Sequence, residues 1–410
     1  MKHYLAIKKR FSNVHRDIWL FLSAIAIIGF SGQMIESVFN NFLSETYQLK
    51  PLERSILELP RELPGFAVAF VSALLFFLPG RRLAAFAMLL QAIGLVLLAF
   101  CASSFSIMLI WLFIMSLGMH LFISLHNSIG MELAREGHEG RRLGQISSIR
   151  NFAAIAGSLL VYVGFKYLGL SFAASFIICA AVLLVAAVCF MSMTPMPAHK
   201  AHLHLKLHKE YKLFYWLSVL YGTRKQIFIT FAPWVLVTVY GKPTEVIAYF
   251  FTIGGIAGIF IQPLLGWMID HMGERFVLSF EGVSLVFICL GYGFAKSIFP
   301  EGNTAYYIAA TCFVLDMILI SASMARATYL KKIAVHPSHV APTLTMGVTI
   351  DHAFSILISI ACGVIWYKLG FQYVFLVGML IAITYFFSVM AIRIPGKAKN
   401  VEMEPQPTGD

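Results

Sequence analysis

Charge is scarce in this chain. Asp, Glu, Lys and Arg make up 12% of its 410 residues, about half the ~25% of an ordinary soluble domain. With 59% hydrophobic residues and a mean hydropathy of +0.80, a soluble globular protein is excluded. Cysteine is sparse too: the six thiols are scattered along apolar segments with no CxxC pair. Such thiols behave as small hydrophobes, and neither disulfides nor a metal site are expected. No Gly-x-x-x-x-Gly-Lys-Ser/Thr loop occurs, so direct ATP drive is not expected. Polar loops are short and no nucleophile–base signature stands out. An enzyme is therefore not expected, and no cofactor or metal ion is called for.

What the chain has is long apolar runs of the ~20 residues that cross ~30 Å of hydrocarbon. Twelve can be placed, at roughly 17–43, 53–78, 83–102, 105–131, 144–167, 170–193, 212–240, 244–269, 275–295, 304–330, 341–367 and 370–392. The longest internal loop, about 194–211, holds His199, His202, His204 and His208 among lysines. It suits a basic tether on an anionic leaflet better than a metal site. The expected fold is an all-α membrane protein, with twelve transmembrane helices in two pseudo-symmetric six-helix bundles. The first bundle spans 1–193 and the second 212–394, joined by the cytoplasmic loop 194–211 and followed by a disordered cytoplasmic tail, 395–410.

The net charge of +11 invites a nucleic-acid partner, but its distribution points to orientation. Lys8, Lys9, Arg10, Arg81, Arg82, Arg141, Arg142, Lys331 and Lys332 fall on one side with most of the other cations. Lys50, Arg54, Lys166, Lys242, Lys296 and Lys368 fall on the other. The positive-inside rule then puts both termini in the cytoplasm. The apolar stretch after Lys8-Lys9-Arg10 is too long for a signal peptide and no small-residue cleavage site follows it, so a multi-pass protein of the cytoplasmic (inner) membrane, acting as a monomer, is expected.

A few polar residues interrupt the spans. Arg224 and Lys225 sit about midway along the seventh, where each charge costs about 2.5–3.5 kcal/mol on insertion scales. Tyr221, Arg224, Lys225 and Phe228 share one helix face by their i, i+3, i+4, i+7 spacing. That face can bind an anion, with guanidinium, ammonium and aromatic walls, or it can pair with carboxylates of other helices. Asp316 in the tenth span and Asp351 in the eleventh lie at matching depth; Asp316 is the preferred partner, and either can carry a coupling proton once freed from its cation. Gln33, Glu36 and Asn40 share a face of the first span and are candidates for substrate contact, with Glu36 also a proton carrier. Glu58, Arg61 and Glu62 in the second span suit a gate or a structural network. His120 in the fourth span suits a core hydrogen bond, a proton relay or substrate contact. Arg150 enters the fifth span where an inner gate can close, and Arg326 in the tenth can reach for the membrane surface.

The halves repeat weakly. Leu78-Pro79-Gly80-Arg81-Arg82 between the second and third spans is echoed by Gly266 to Arg275 between the eighth and ninth, and Gln33 corresponds to Lys225, His120 to Asp316. Duplicated halves around a midplane site are a recurring transporter plan. With Gly266, Asp270, Gly273 and Arg275 matching its loop signature, the chain resembles the major facilitator superfamily over nearly its whole length. The first copy keeps only Gly80-Arg81-Arg82 and lacks the Asp. The resemblance implies rocking halves and assigns Asp270 and Arg275 to gating. Ala156-Gly157-Ser158 stands where many antiporters of that family carry proline-glycine, which speaks against a multidrug/proton antiporter. The expected function is a secondary active transporter of a small organic, anionic solute, coupled to protons by symport or antiport. A multidrug or metabolite exporter of the same fold and a non-transporting membrane sensor are the alternatives.

Overall fold

The computed structural model describes residues 2–74, 79–134, 138–194, 207–336 and 339–393. The expectations for Leu78, for His199, His202 and His204 and for the tail 395–410 lie outside these residues. Helices account for nearly all of the described chain. The first half contains α1 (Lys2–Tyr47), α2 (Pro51–Ile56), α3 (Glu58–Leu74), α4 (Gly80–Phe100), α5 (Phe105–Glu132), α6 (Glu139–Tyr167) and α7 (Phe172–Ser192). The second contains α8 (Lys212–Thr238), α9 (Thr244–Met272), α10 (Glu274–Ile298), α11 (Thr304–Leu319), α12 (Met324–Ile333), α13 (Val340–Leu369) and α14 (Phe371–Met390).

Ten of the described helical stretches are long and apolar enough to cross a membrane. The remaining two of the twelve spans hold adjacent or closely spaced charges away from their ends. One is α2 with α3, holding Arg54, Glu58, Arg61 and Glu62; the other is α8, where Arg224, Lys225 and Gln226 stand together. The tenth span is divided as α11, a 3-10 turn over Ile320–Ser323, and α12. The small residues Ser321, Ala322 and Ser323 permit this tighter winding, a feature that often marks a hinge. Elsewhere the local rules hold. Ser104 and Ser171 cap α5 and α7 by accepting from Ile107 N and Ala174 N, filling donors that a helix start leaves open. Gly273 (φ +85°) and Gly370 (φ +111°) turn α9 into α10 and α13 into α14, a backbone state that side chains resist.

In the first half one continuous apolar cluster runs along the bundle, from Phe21 and Phe190 through Met34 and Met88 to Leu43 and Phe176. The second half is built differently. Its core is split into a cluster around Phe228, Phe231, Tyr292 and Phe375 and another around Phe214, Leu217, Leu278 and Leu330. On α8 the break falls between Leu220 and Ile227, on α10 between Leu278 and Leu285, and on α13 between Ile350 and Ile358. Arg224, Glu281 and Asp351 occupy those gaps. A polar belt therefore crosses the second half near its middle, and the two apolar clusters hold it from either side.

Candidate functional site

Arg224 and Lys225 are neighbours on α8, so their side chains leave the helix about 100° apart and meet different partners. Arg224 Nη2 lies 2.7 Å from Asp316 Oδ1 on α11, with both side chains almost fully buried. Lys225 Nζ reaches both oxygens of Asp351 on α13, at 2.9 and 3.0 Å. Ser355, one turn along α13, donates to Asp351 Oδ1 at 3.3 Å. A single preferred partner, Asp316, was the sequence-based expectation; the structure gives each cation its own carboxylate. This is what makes two charges tolerable here, since an unpaired buried ion is costly.

The two pairs are not equivalent. Lys225 and Asp351 form a well-directed hydrogen bond. Arg224 and Asp316 are close but misaligned: Nε, Nη1 and Nη2 of Arg224 and Oδ1 of Asp316 are all buried without a hydrogen-bond partner. The guanidinium faces Phe228, 5.7 Å from its ring centroid. Charge is balanced in this pair, while directional bonding capacity is left over.

Two further groups complete the belt. Glu281 of α10 is buried and accepts from Tyr385 Oη at 3.0 Å. Arg326 of α12 does not reach for the membrane surface. It lays its guanidinium on the ring of Tyr221, 3.5 Å from the centroid, and its Nε is buried without a partner. Lys225 also approaches this ring, its Nζ 5.9 Å from the same centroid.

A second constellation lies on the seam between the halves. Arg54, counted among the cations of the outer side, is wholly buried; it binds Glu58 at 2.5 Å and Asn40 of α1 at 3.2 and 3.3 Å. Glu58 also takes Arg61 at 3.0 Å and, across the seam, Gln226 of α8 at 2.9 Å. Arg61 approaches Glu62 at 3.5 Å, and Glu62 bonds His352 of α13 at 2.7 Å. His120 of α5 is hydrogen-bonded to Ser116, and its ring lies edge-on to that of His352, centroids 5.0 Å apart. Gln33 lines a small cavity of about 130 Å³ between the halves with Asn151 of α6 and Gln262 of α9, which are 3.2 Å apart. Gln33 Nε2 is buried and unpartnered. Glu36 is half-buried and makes no ion pair or hydrogen bond among the described residues.

The links across the seam run from this depth towards the end that carries Tyr47, Lys242 and Leu369. There Asn41 donates to the Lys242 carbonyl at 3.0 Å, and Thr252 donates to Ser158 at 2.9 Å. At the end that carries Thr194, Met272 and Met390 the described polar contacts stay within a half. Arg81 binds Asp17 and the Thr194 carbonyl, both at 2.7 Å. Lys332 binds Glu274 at 2.6 Å. Asp17 on α1 thus gives Arg81 the carboxylate that the first loop motif lacks. In the second copy Asp270 and Arg275 are exposed; Arg275 reaches Met390 Sδ at 3.2 Å, and Asp270 forms no ion pair among the described residues. Arg150 is exposed and likewise unpaired among them.

Sequence reasoning missed His352, Arg54, Gln226, Glu281 and Asp17. Two had a visible signal: His352 adjoins Asp351, and Arg54 stands four residues before Glu58, the spacing of a helical ion pair. Glu281 has no charged residue three or four positions away along its helix to flag it.

No curated protein matches the chain in sequence. Among solved structures, the nucleoside transporter NupG superposes with a TM-score of 0.70 at 16% identity, covering 93% of this chain and 100% of that one. A D-xylose-proton symporter gives 0.71 at 13% identity, covering 93% and 98%. A POT peptide transporter in complex with sulfate gives 0.71 at 12% identity, covering 92% and 94%. The sequence pattern of the Major Facilitator Superfamily matches residues 21–348, which is most of the chain, so this protein belongs to the major facilitator superfamily and is a multi-pass transporter, not an enzyme.

Proposed function

We propose that the protein is a proton-coupled carrier of a small organic anion across the cytoplasmic membrane, with both termini in the cytoplasm. One observation carries this reading: the buried Arg224 guanidinium sits beside Asp316 with three nitrogens lacking hydrogen-bond acceptors. A guanidinium binds carboxylate or phosphate through paired, directed bonds, and here those donors are already held in place. An incoming anion satisfies them and takes Asp316's role as counter-ion. An isolated buried charge is costly, so release of Asp316 and its protonation go together. Return of Arg224 to Asp316 expels the proton and resets the site. The small solutes named for the structural neighbours, nucleosides, D-xylose and peptides, fit a carrier of this size class, and the distribution of Lys and Arg supports the orientation.

The test is uptake into liposomes by purified protein, with a panel of carboxylates, phosphorylated metabolites and neutral solutes under an imposed pH gradient. Saturable uptake of an anion that is lost in Arg224→Ala, and that no longer follows the pH gradient in Asp316→Asn, is expected. Saturable uptake confined to neutral solutes, or unchanged in Arg224→Ala, overturns the proposal.

A further inference from the structure

Glu62, His120 and His352 converge where α3 and α5 of the first half face α13 of the second. One carboxylate oxygen of Glu62 and one nitrogen from each imidazole lie within 4.8 Å of one another. Little of these side chains is open to solvent: His352 is 12% exposed and Glu62 8%.

Hydrogen bonding fixes the state of His120. Its Nδ1 lies 3.0 Å from the Ser116 carbonyl, and a ring nitrogen facing a carbonyl carries the proton. Ser116 Oγ, also 3.0 Å from Nδ1, gives its own proton to the Arg61 carbonyl. Nε2 is then the nitrogen with the free lone pair. This is the arrangement of a metal-binding histidine, one nitrogen for the ion and the other tied to backbone. Gly65 keeps the space clear: a Cβ there would stand 2.7 Å from His120 Nε2 and 2.8 Å from His352 Cε1. Arg61 sits 3.5 Å from Glu62 Oε1, which leaves Oε2 on the side of His352.

We propose that Glu62, His120 and His352 form a binding site for a divalent transition-metal ion, with ligands drawn from both halves. Two imidazoles and one carboxylate suit Zn²⁺ and its neighbours. The set lacks the thiolates that copper(I) favours and the all-oxygen shell that Ca²⁺ and Mg²⁺ need. The ion replaces the proton now shared by Glu62 Oε2 and His352 Nδ1 and adds His120 as third ligand. Since His352 moves with one half and its partners with the other, the ion binds this arrangement of the halves and shifts the population towards it. The site stands independently of the solute proposed for Arg224.

The experiment uses the full chain, free of any affinity tag, with His199, His202, His204 and His208 replaced by Asn to silence the loop. Calorimetric titration with Zn²⁺ is expected to show one ion per chain and a raised melting temperature. Each of Glu62→Gln, His120→Gln and His352→Gln weakens binding by more than about tenfold. Because a variant can fail to fold, Co²⁺ is added to the unsubstituted cluster as well: intense visible bands of a low-coordinate ion are expected. The weak spectrum of six-coordinate aqueous Co²⁺, no stoichiometric Zn²⁺ uptake by the loop-silenced chain, or affinity in all three variants equal to that of the unsubstituted cluster overturns the site.

Discussion

Gln226 of α8 donates to Glu58 of α3 at 2.9 Å, so one buried carboxylate joins the two halves. The same carboxylate holds Arg54 and Arg61, and Arg54 in turn holds Asn40. Three helices of the first half and one of the second therefore depend on a single acid. The hydrophobic effect gives little drive for helix association in lipid, so van der Waals packing and interhelical hydrogen bonds carry it. This network accordingly ties α3 to α8 across the seam.

Arg54→Ala should expose the dependence. It leaves Asn40 without its donor and Glu58 without one of its two cations, all fully buried. Removing one partner of a buried pair costs about 3–5 kcal/mol, to be read as a loss of thermal stability in detergent. Arg54→Lys restores the charge without the fork that spans Glu58 and Asn40, so it should fall between the two. A melting temperature equal to wild type in Arg54→Ala would show the network to be incidental.

Arg224 and Asp316 permit a separation of stability from transport. Arg224→Ala alone strands Asp316 and should destabilise by about 3–5 kcal/mol, whereas the double variant Arg224→Ala/Asp316→Ala removes both charges and should recover most of that loss. Transport should stay absent in both. Recovery of uptake together with stability in the double variant would make the pair structural and nothing more.

Gly222 is a packing prediction with a functional readout. A Cβ at this position would meet the Asp351 carbonyl oxygen at 2.8 Å and its Cα at 2.9 Å. Gly222→Ala must therefore push α8 and α13 apart just where Lys225 meets Asp351. Reduced uptake is expected with the protein still inserted and monodisperse, and wild-type uptake would show that the helices can give way freely.

The spans, their pairing into halves and the depth of the charges were legible because they rest on local signals: apolar length, short loops and helical spacing. Arg224 and Lys225 were found by cost alone, and the two aspartates by depth. What one-dimensional spacing could not supply was the neighbour across the seam. Gln226 beside Lys225 reads as part of the same polar patch, yet it points to α3 because successive residues turn by about 100°. Asp17 looked like the start of a span, and only the packing of α1 and α4 against α7 lets it answer Arg81 and Thr194. Glu58, Arg61 and Glu62 were read as one group; the fold sends Glu58 to Gln226 and Glu62 to His352.

Tyr221 offers the test that separates shape from charge in the belt. Its ring is covered by Arg326 at 3.5 Å, and Lys225 approaches the same ring at 5.9 Å, so one ring serves two cations. Cation–π contacts of this kind contribute about 0.5–2 kcal/mol. Tyr221→Phe keeps the ring and should transport and melt like wild type. Tyr221→Ala leaves Arg326 without a face to rest on and should lower both stability and uptake. Should Phe prove as damaging as Ala, the hydroxyl rather than the ring would be the working group, and Tyr221 would belong among the hydrogen-bonding contacts to solute instead of among the supports for Arg326.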